Sequence, residues 1–173
     1  MSRDMEEYSP SLRAILETGE KMLTYGSPAL DVVERCVSML EDDPLYNAGR
    51  GSVLNNRGKV EMDASIMNGQ SLAAGAVAAI HGIKNPVRLA RMVMDKSCHV
   101  MLIADGAIDF AREKGIPTMP EEYFLTEERR FQWEKAAEEN TVELDHNSPH
   151  NKNKKFGTVG AVAIDTFGNL AAA

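Results

Sequence analysis

Apolar residues recur at helical spacing in two stretches near the start of the chain, over residues 12–23 and 30–40. The first stretch predicts a helix that ends at Gly26, because glycine readily adopts the left-handed conformation of a helix end. Ser27 and Pro28 precede the second stretch and predict an N-cap followed by a proline in the first helical turn. We expect the two helices to pack on each other through their apolar faces.

A change of pattern follows these helices. Residues 42–52 have no usable period and contain a proline and two glycines, which predicts an irregular loop. Val60 and Met62 then alternate with acidic residues, as in a strand. The small apolar run over residues 72–80 fits either a strand or a helix, and its glycine would allow a sheet and a helix to pack closely.

The middle of the chain contains three further predicted elements. Asn85-Pro86 opens a helix, and residues 99–104 predict a buried strand. Asp105 is predicted to cap the helix that follows this strand, and Thr126 to cap an exposed helix with an acidic first turn.

Composition changes sharply near the end. Residues 140–156 are rich in Asn, His and Lys with few apolar residues, so they cannot offset their ordering entropy and predict a mobile linker. Residues 158–165 form a β-type run, and a turn over 166–169 leads into a returning strand at 170–173. A four-residue partner buries little surface, so we expect the chain to be a piece of a larger unit.

Length and charge narrow the class of protein. The 173 residues are 43% apolar, enough for one domain over 1–173. The formal charge of −7 argues against a nucleic-acid partner, since phosphate binding needs clustered Lys and Arg. No apolar stretch approaches the roughly 20 residues that span a bilayer, so we expect no membrane contact and a cytoplasmic protein. Cys36 and Cys98 are expected to be structural, in a reducing compartment.

The Gly157-Thr158 pair is the main candidate for chemistry. One interpretation is structural only, because threonine favours strands and glycine often begins them. In the other, Thr158 is a nucleophile: cleavage before it frees an α-amino group with a pKa of about 7.7–8.0, which can act as the base for its own hydroxyl. Gly157 lacks a Cβ and tolerates the strained backbone that attack on its carbonyl requires.

The wider sequence around this pair carries a family resemblance. Residues 157–165 and 168–173 resemble the junction between the two subunits of plant-type asparaginases, also called isoaspartyl peptidases, which are N-terminal-nucleophile hydrolases. Further motifs follow in that family's order and approximate spacing: Glu17-Thr18-Gly19, Ala29-Leu30-Asp31-Val32-Val33, Asp43-Pro44-Leu45-Tyr46-Asn47-Ala48-Gly49, Met62-Asp63-Ala64, Ala74-Gly75-Ala76-Val77-Ala78 and Asn85-Pro86 with Leu89-Ala90. The resemblance covers nearly the whole chain.

The resemblance implies both a fold and an activity. The fold would be α/β, the αββα sandwich of the N-terminal-nucleophile hydrolases, incomplete in this chain. Self-cleavage between Gly157 and Thr158 would leave an α-subunit-like portion, 1–157, and the start of a β-subunit-like portion, 158–173. Thr158 would then release aspartate from L-asparagine or β-aspartyl (isoaspartyl) dipeptides. With the remaining β-subunit segment, the processed chains would form an (αβ)2 heterotetramer.

The same resemblance extends to a catalytic amide and an ion. Asn47 would lie near the nucleophile and position the Thr158 amine, although a loop asparagine can also simply bond its own backbone. The loop from Leu40 to Arg50 corresponds to a sodium-binding loop in which main-chain carbonyls hold a structural ion, and no catalytic cofactor is implied. The ligands matched by position are Leu40, Glu41, Asp43, Tyr46, Ala48 and Arg50.

Two features of that family fall outside this sequence and keep alternatives open. One is a leading strand with His-Gly-Gly-Ala-Gly; the other is a Thr-Ser-Thr-Gly-Gly segment beyond Ala173 that serves substrate and oxyanion. We therefore expect the 173-residue polypeptide alone to be severely impaired. The alternatives are a non-catalytic remnant or interaction module, and a glycosylasparaginase or taspase-like threonine hydrolase, whose members usually have Asp in place of Gly157.

Overall fold

The structure is a computed structural model that describes residues 5–138 and 158–173. Within these ranges the helices are α1 (Met5–Thr24), α2 (Ala29–Asp42), α3 (Pro86–Lys96), α4 (Ala104–Glu113), α5 (Glu121–Phe124) and α6 (Glu127–Glu138). The strands are β1 (Met62–Asn68), β2 (Ala74–Ile80), β3 (Met101–Ile103), β4 (Val162–Ile164) and β5 (Leu170–Ala172). The predicted linker over 140–156 and the residue Gly157 lie outside the described residues.

The strands form one sheet in the order β3-β2-β1-β5-β4. Among these strands only the β2–β3 pair is parallel, as expected for strands joined through a helix, here α3. The hairpin of β4 and β5 pairs with β1 through Met67 and Ala172. The sheet therefore joins the end of the chain, just after Thr158, to its middle.

Helices cover one face of this sheet. Helices α2, α3 and α4 contact its strands, and α1 packs on α2. The core between them includes Val33, Ile66, Val77, Leu89 and Val93, all at most 1% exposed. Large apolar residues that point to the other face of the sheet are exposed, and the fold among the described residues is mixed α/β with a single sheet.

Strand β2 shows why its sequence is built of small residues. Any side chain at Gly75 would collide with the Ala90 carbonyl, so the glycine lets α3 lie directly on the strand. Further along, β2 carries a bulge against β1 near Ala79, whose φ is +52°. Asp63 accepts a hydrogen bond from the Ala79 backbone N–H at 2.8 Å, which stabilises this strained residue. The run that fits either a strand or a helix by its pattern is thus a strand.

Several helix ends lie where the sequence predicts them, whereas two predicted N-caps are wrong. Helix α1 ends two residues before Gly26, whose φ is +82°, and α3 begins at Pro86 after Asn85, as predicted. The predicted cap at Ser27 is wrong, because α2 begins at Ala29 and the Ala29 amide donates to Asp165 at 3.2 Å. Asp105 does not cap α4 either, since that helix begins one residue earlier, at Ala104.

Burial differs from expectation at two further places. Strand β3 is a three-residue edge strand with Met101 and Ile103 51% and 60% exposed, so the prediction of a buried strand over 99–104 is wrong. Cys36 is buried, whereas Cys98 is exposed. None of the helices in the described part of the chain combines the length and apolarity that a membrane crossing requires.

Candidate active site

Asn47 lies in the irregular loop between α2 and β1, and we call residues 43–53 the Asn47 loop. The Asn47 side-chain oxygen accepts a hydrogen bond from the Val53 backbone N–H at 2.8 Å. The Ser52 hydroxyl donates to the Gly49 carbonyl at 3.0 Å and closes the turn between them. Asn47 therefore does bond its own loop, the structural role that the sequence leaves open, and this bond fixes the direction of its amide.

Thr158 and Asn47 line the same cavity, which has a volume of about 590 Å³. Thr158 is exposed and precedes the backbone pairing of Ala161 with Ala173 that begins the hairpin. The cavity walls come from the Asn47 loop, the end of α2, the start of α3 and residues of the sheet, among them buried Met62 and Val77 and exposed Asp63 and Ser65. Its polar lining includes Glu41, Asn47, Ser52, Glu61, Asp63, Ser65 and Thr158.

Glu41 is the unusual group in this cavity. Its carboxylate lies in the last turn of α2, is only 3% exposed, and accepts a hydrogen bond from the Val87 backbone N–H at 2.9 Å. Its second oxygen, Oε2, is buried without a hydrogen-bond partner among the described residues. Burial raises the pKa of Glu41 to about 8, against the opposing effect of the hydrogen bonds from Val87 and Asn85. The Glu41 side chain thus links the end of α2 to the start of α3.

The positions matched to a sodium loop surround the turn from α2 into the Asn47 loop. The Glu41 carbonyl accepts from the Arg50 N–H at 2.7 Å, and the Asp43 carbonyl from the Tyr46 N–H at 3.3 Å. Tyr46 is buried against Tyr8, with ring centroids 5.5 Å apart. Each of these carbonyls retains a second lone pair, so hydrogen bonding does not prevent ligation of an ion.

Two main-chain oxygens of the same loop lie close to Gly51. A Cβ added to Gly51 would lie 2.6 Å from the Pro44 carbonyl and 2.8 Å from the Tyr46 carbonyl. Within residues 5–138 and 158–173, no group of three or more His, Cys, Asp or Glu side chains is arranged to hold a metal ion. The donors that the loop offers are main-chain oxygens, which suit a hard cation.

Sequence reasoning misses two side chains that shape this region. The family resemblance involves only the main-chain carbonyl of Glu41, as an ion ligand. Its side chain lies four residues after Val37 on the apolar face of α2, an unusual place for an acidic residue. Arg129 falls in a helix predicted to be exposed, yet it is 6% exposed and donates to the Gly51 carbonyl at 2.6 Å. The charged sequence around Arg129 carries no signal for its burial.

Comparison with known proteins shows the family to which this sequence belongs. The model of the family described as "Asparaginase" matches residues 1–173. The chain belongs to the asparaginase family. It is 45% identical over 168 residues to the "Isoaspartyl peptidase/L-asparaginase" of Danio rerio, covering 97% of this chain and 53% of that protein.

Two other relatives give the same result. The protein of the same name from Bos taurus is 52% identical over 153 residues, which cover 88% of this chain and 48% of the relative. The "Isoaspartyl peptidase" of Escherichia coli K12 is 48% identical over 167 residues, covering 96% and 52%. The chain thus spans about half the length of the curated relatives that it matches.

Proposed function

We propose that the complete protein is an autoprocessing amidohydrolase that releases aspartate from L-asparagine and β-aspartyl dipeptides. The observation that carries this proposal is that Thr158 and Asn47 line one cavity in a chain of the asparaginase family. The names of the relatives, isoaspartyl peptidase and L-asparaginase, supply the substrate class. Thr158 is the nucleophile in this proposal, and Asn47 is a catalytic amide.

The first step is self-cleavage between Gly157 and Thr158. The Thr158 hydroxyl attacks the Gly157 carbonyl carbon, the C–N bond breaks, and the acyl group passes from nitrogen to oxygen as an ester. Water then hydrolyses this ester and leaves the carboxylate of Gly157 and the free α-amino group of Thr158. The protein is thereby divided into a portion that ends at Gly157 and a portion that begins at Thr158.

The second step uses the amine that the first one frees. The Thr158 amine takes the hydroxyl proton as the oxygen attacks the side-chain amide carbonyl of asparagine, and passes the proton to the departing ammonia. For a β-aspartyl dipeptide, the leaving group is the α-amine of the second residue. Water hydrolyses the resulting acyl-enzyme and releases aspartate. Because its oxygen is held by Val53, the Asn47 amide has a fixed direction from which to orient the Thr158 amine.

The same proposal extends to the whole fold, an αββα sandwich in which a second sheet covers the exposed face of the first. We define the open face by its exposed apolar residues: Met67, Met101, Ile103, Val162, Ile164 and Leu170. Strand register aligns them, because Met67 pairs with Ala172, and Ala172 with Val162. A contiguous apolar sheet face of this kind is typical of a buried interface. The (αβ)2 heterotetramer and the cytoplasmic location stay predictions.

A structural sodium ion is also part of the proposal. The carbonyls of Leu40, Glu41, Asp43, Tyr46, Ala48 and Arg50 would hold it, and the oxygen-only donor set of the loop supports this assignment. The ion would supply rigidity to the loop that carries Asn47. It takes no part in either bond-breaking step.

Replacing the nucleophile tests the central claim. In the complete gene product, Thr158→Ala removes the hydroxyl needed for both steps, so we expect no cleavage after Gly157 by mass spectrometry and no aspartate release. Thr158→Ser keeps a hydroxyl and should retain part of both activities. Thr166→Ala, in the exposed turn of the same hairpin, is the matched control and should behave as the wild type. If the Thr158→Ala variant still splits after Gly157, the cut belongs to an outside protease.

A further inference from the structure

A buried arginine on α6 contacts the Asn47 loop. The Arg129 Nε donates to the Gly51 carbonyl at 2.6 Å, and its Nη1 donates to the Gln132 side-chain oxygen at 3.0 Å. Its backbone N–H donates to the Thr126 hydroxyl at 3.2 Å, so Thr126 caps the first turn of α6, the turn that carries the Arg129 side chain. Burying a charged side chain is costly unless its donors are satisfied, and the Gly51 carbonyl and the Gln132 side chain satisfy Nε and Nη1 of Arg129.

Gly51 is held from both sides by the same segment of chain. Its N–H donates to the Phe124 carbonyl at 3.3 Å, while its carbonyl accepts from Arg129. Its φ is +113°, and a Cβ there would clash with the Pro44 and Tyr46 carbonyls. Gly51 therefore has one conformation that fits, and the segment from Phe124 to Arg129 holds its peptide groups on both sides.

The contacts continue from Gly51 to Asn47. Ser52, the next residue, donates from both its hydroxyl and its N–H to the Gly49 carbonyl, at 3.0 Å and 3.3 Å. The residue after it, Val53, donates to the Asn47 side-chain oxygen at 2.8 Å. The position of the Val53 N–H depends on the backbone conformation at Gly51, whose carbonyl Arg129 binds. The direction of the Asn47 amide thus depends on that conformation as well.

We propose that Arg129 is a positioning residue for Asn47. It fixes the Gly51 carbonyl, and through Val53 it sets the orientation of the Asn47 amide in the cavity that Thr158 also lines. This inference rests on the proposed function and adds to it a control point outside the cavity, on α6. Its consequence is that loss of the Arg129 contact slows self-cleavage and hydrolysis without removing any group that touches the substrate.

Arginine suits this position better than lysine does. The planar guanidinium directs Nε and Nη1 to two acceptors in fixed directions, whereas an ammonium is a compact group on a flexible stem. Helix α6 has a second, independent anchor, because Trp133 packs against Gly58, where an added Cβ would lie 3.1 Å from the indole. A change at Arg129 should therefore loosen the hold on Gly51 while α6 stays docked.

Variants of the complete gene product test the inference. We expect Arg129→Gln to lower kcat and the self-cleavage rate constant at least about tenfold, with KM changed much less, since misplacing a catalytic group affects the reacting step. Arg129→Lys should recover part of the loss. The matched control is Arg130→Gln, the exposed neighbour that pairs with Glu134, and it should match the wild type.

A stability control separates positioning from general weakening of the fold. Val93→Ala removes two buried methyl groups from α3, outside the cavity lining, and should lower the melting temperature while keeping the rates of cleavage and hydrolysis well below melting. If Arg129→Gln and Arg129→Lys lose no more activity than Val93→Ala, the inference is wrong. If the wild type neither cleaves itself nor hydrolyses asparagine or β-aspartyl dipeptides, the proposed function is wrong, and the proposed role of Arg129 is wrong with it. Should Arg129→Gln not fold, Arg129→Lys decides alone, and wild-type rates in that variant would overturn the proposal.

Discussion

Asp165 shows how one carboxylate joins distant parts of the chain. It accepts hydrogen bonds from the backbone N–H groups of Ala29 at 3.2 Å and of Phe167 and Asn169, both at 3.0 Å. The Asn169 side-chain amide adds another at 3.2 Å. Burial acts to raise the pKa of Asp165, but these hydrogen bonds outweigh it and hold the pKa below its ordinary value of 3.8. The charged form of Asp165 thus secures the start of α2 to the β4–β5 turn.

This arrangement predicts a stability effect with a defined pH dependence. Because the folded-state pKa is lowered, the contribution of Asp165 is fully present above the ordinary pKa and is lost as the pH falls through the folded-state value. Asp165→Asn also turns an amide donor toward backbone donors, so it should lower the melting temperature near neutral pH. The difference in melting temperature between Asp165→Asn and the wild type should become smaller as the pH falls below about 4.

The control for Asp165 is Asp109→Asn, a carboxylate on the exposed surface of α4 that pairs with Arg112. Exposed pairs contribute little, so this variant should melt close to the wild type. Melting curves recorded across the acidic range provide the measurement. A melting-temperature difference for Asp165→Asn that does not change with pH would contradict the role of the ionised carboxylate.

Individual residues differ in how far the sequence can predict them. Motifs make Thr158 and Asn47 candidates for the site, and both line one cavity in the structure. The burial of the Glu41 and Arg129 side chains cannot be predicted in this way, because it depends on contacts with Val87 and Gly51, which are distant in sequence. Local pattern carries no information on such contacts.

At the scale of elements, the Asn47 loop is the segment whose geometry an ion would stabilise. A cation that binds only the folded state stabilises it by mass action, about 2.7 kcal/mol at a concentration roughly 100 times its Kd. We expect the complete protein to melt at a lower temperature when sodium is replaced by tetramethylammonium at equal ionic strength. The ligands are carbonyls, so side-chain changes at Ala48 or Arg50 should alter this sodium effect little. A melting temperature independent of the cation would remove the ion from the proposal.

Elements with strong periodicity or distinctive end signals are predictable, and edge elements are not. The residues of α1 and α2 show clear helical spacing, and Asn85-Pro86 marks the start of α3 correctly. The apolar run at 99–104 predicts a buried strand because apolar content usually follows burial. Its strand, β3, lies at the sheet edge, where Met101 and Ile103 belong to the open face. Composition alone cannot distinguish a strand in the core from a strand whose apolar side chains are exposed at the edge of the sheet.

The open face is the main feature of the molecule as a whole. Val162 is 82% exposed and Ile103 60%, while their neighbours in the sheet, such as Ile66 and Ala171, are buried under the helices. Among the described residues the sheet is therefore covered on one side only. A chain that spans about half the length of its relatives, with one apolar face uncovered, fits the proposed sandwich, in which further chain supplies the second layer.

The 173-residue polypeptide expressed by itself would leave its open face uncovered. Its open face should bind hydrophobic dyes and drive self-association, since apolar surface that is contiguous and exposed favours burial against any available partner. It should release no aspartate from asparagine or β-aspartyl dipeptides. Replacing Val162 and Ile164 together by Thr, which keeps the β-branched shape, should increase the fraction of monomer in sedimentation runs. Replacing the exposed Leu16 of α1 by Thr should have less effect, because this residue lies away from the sheet. A monomeric wild-type polypeptide without dye binding would show that the open face needs no second layer, and the sandwich would have to be given up.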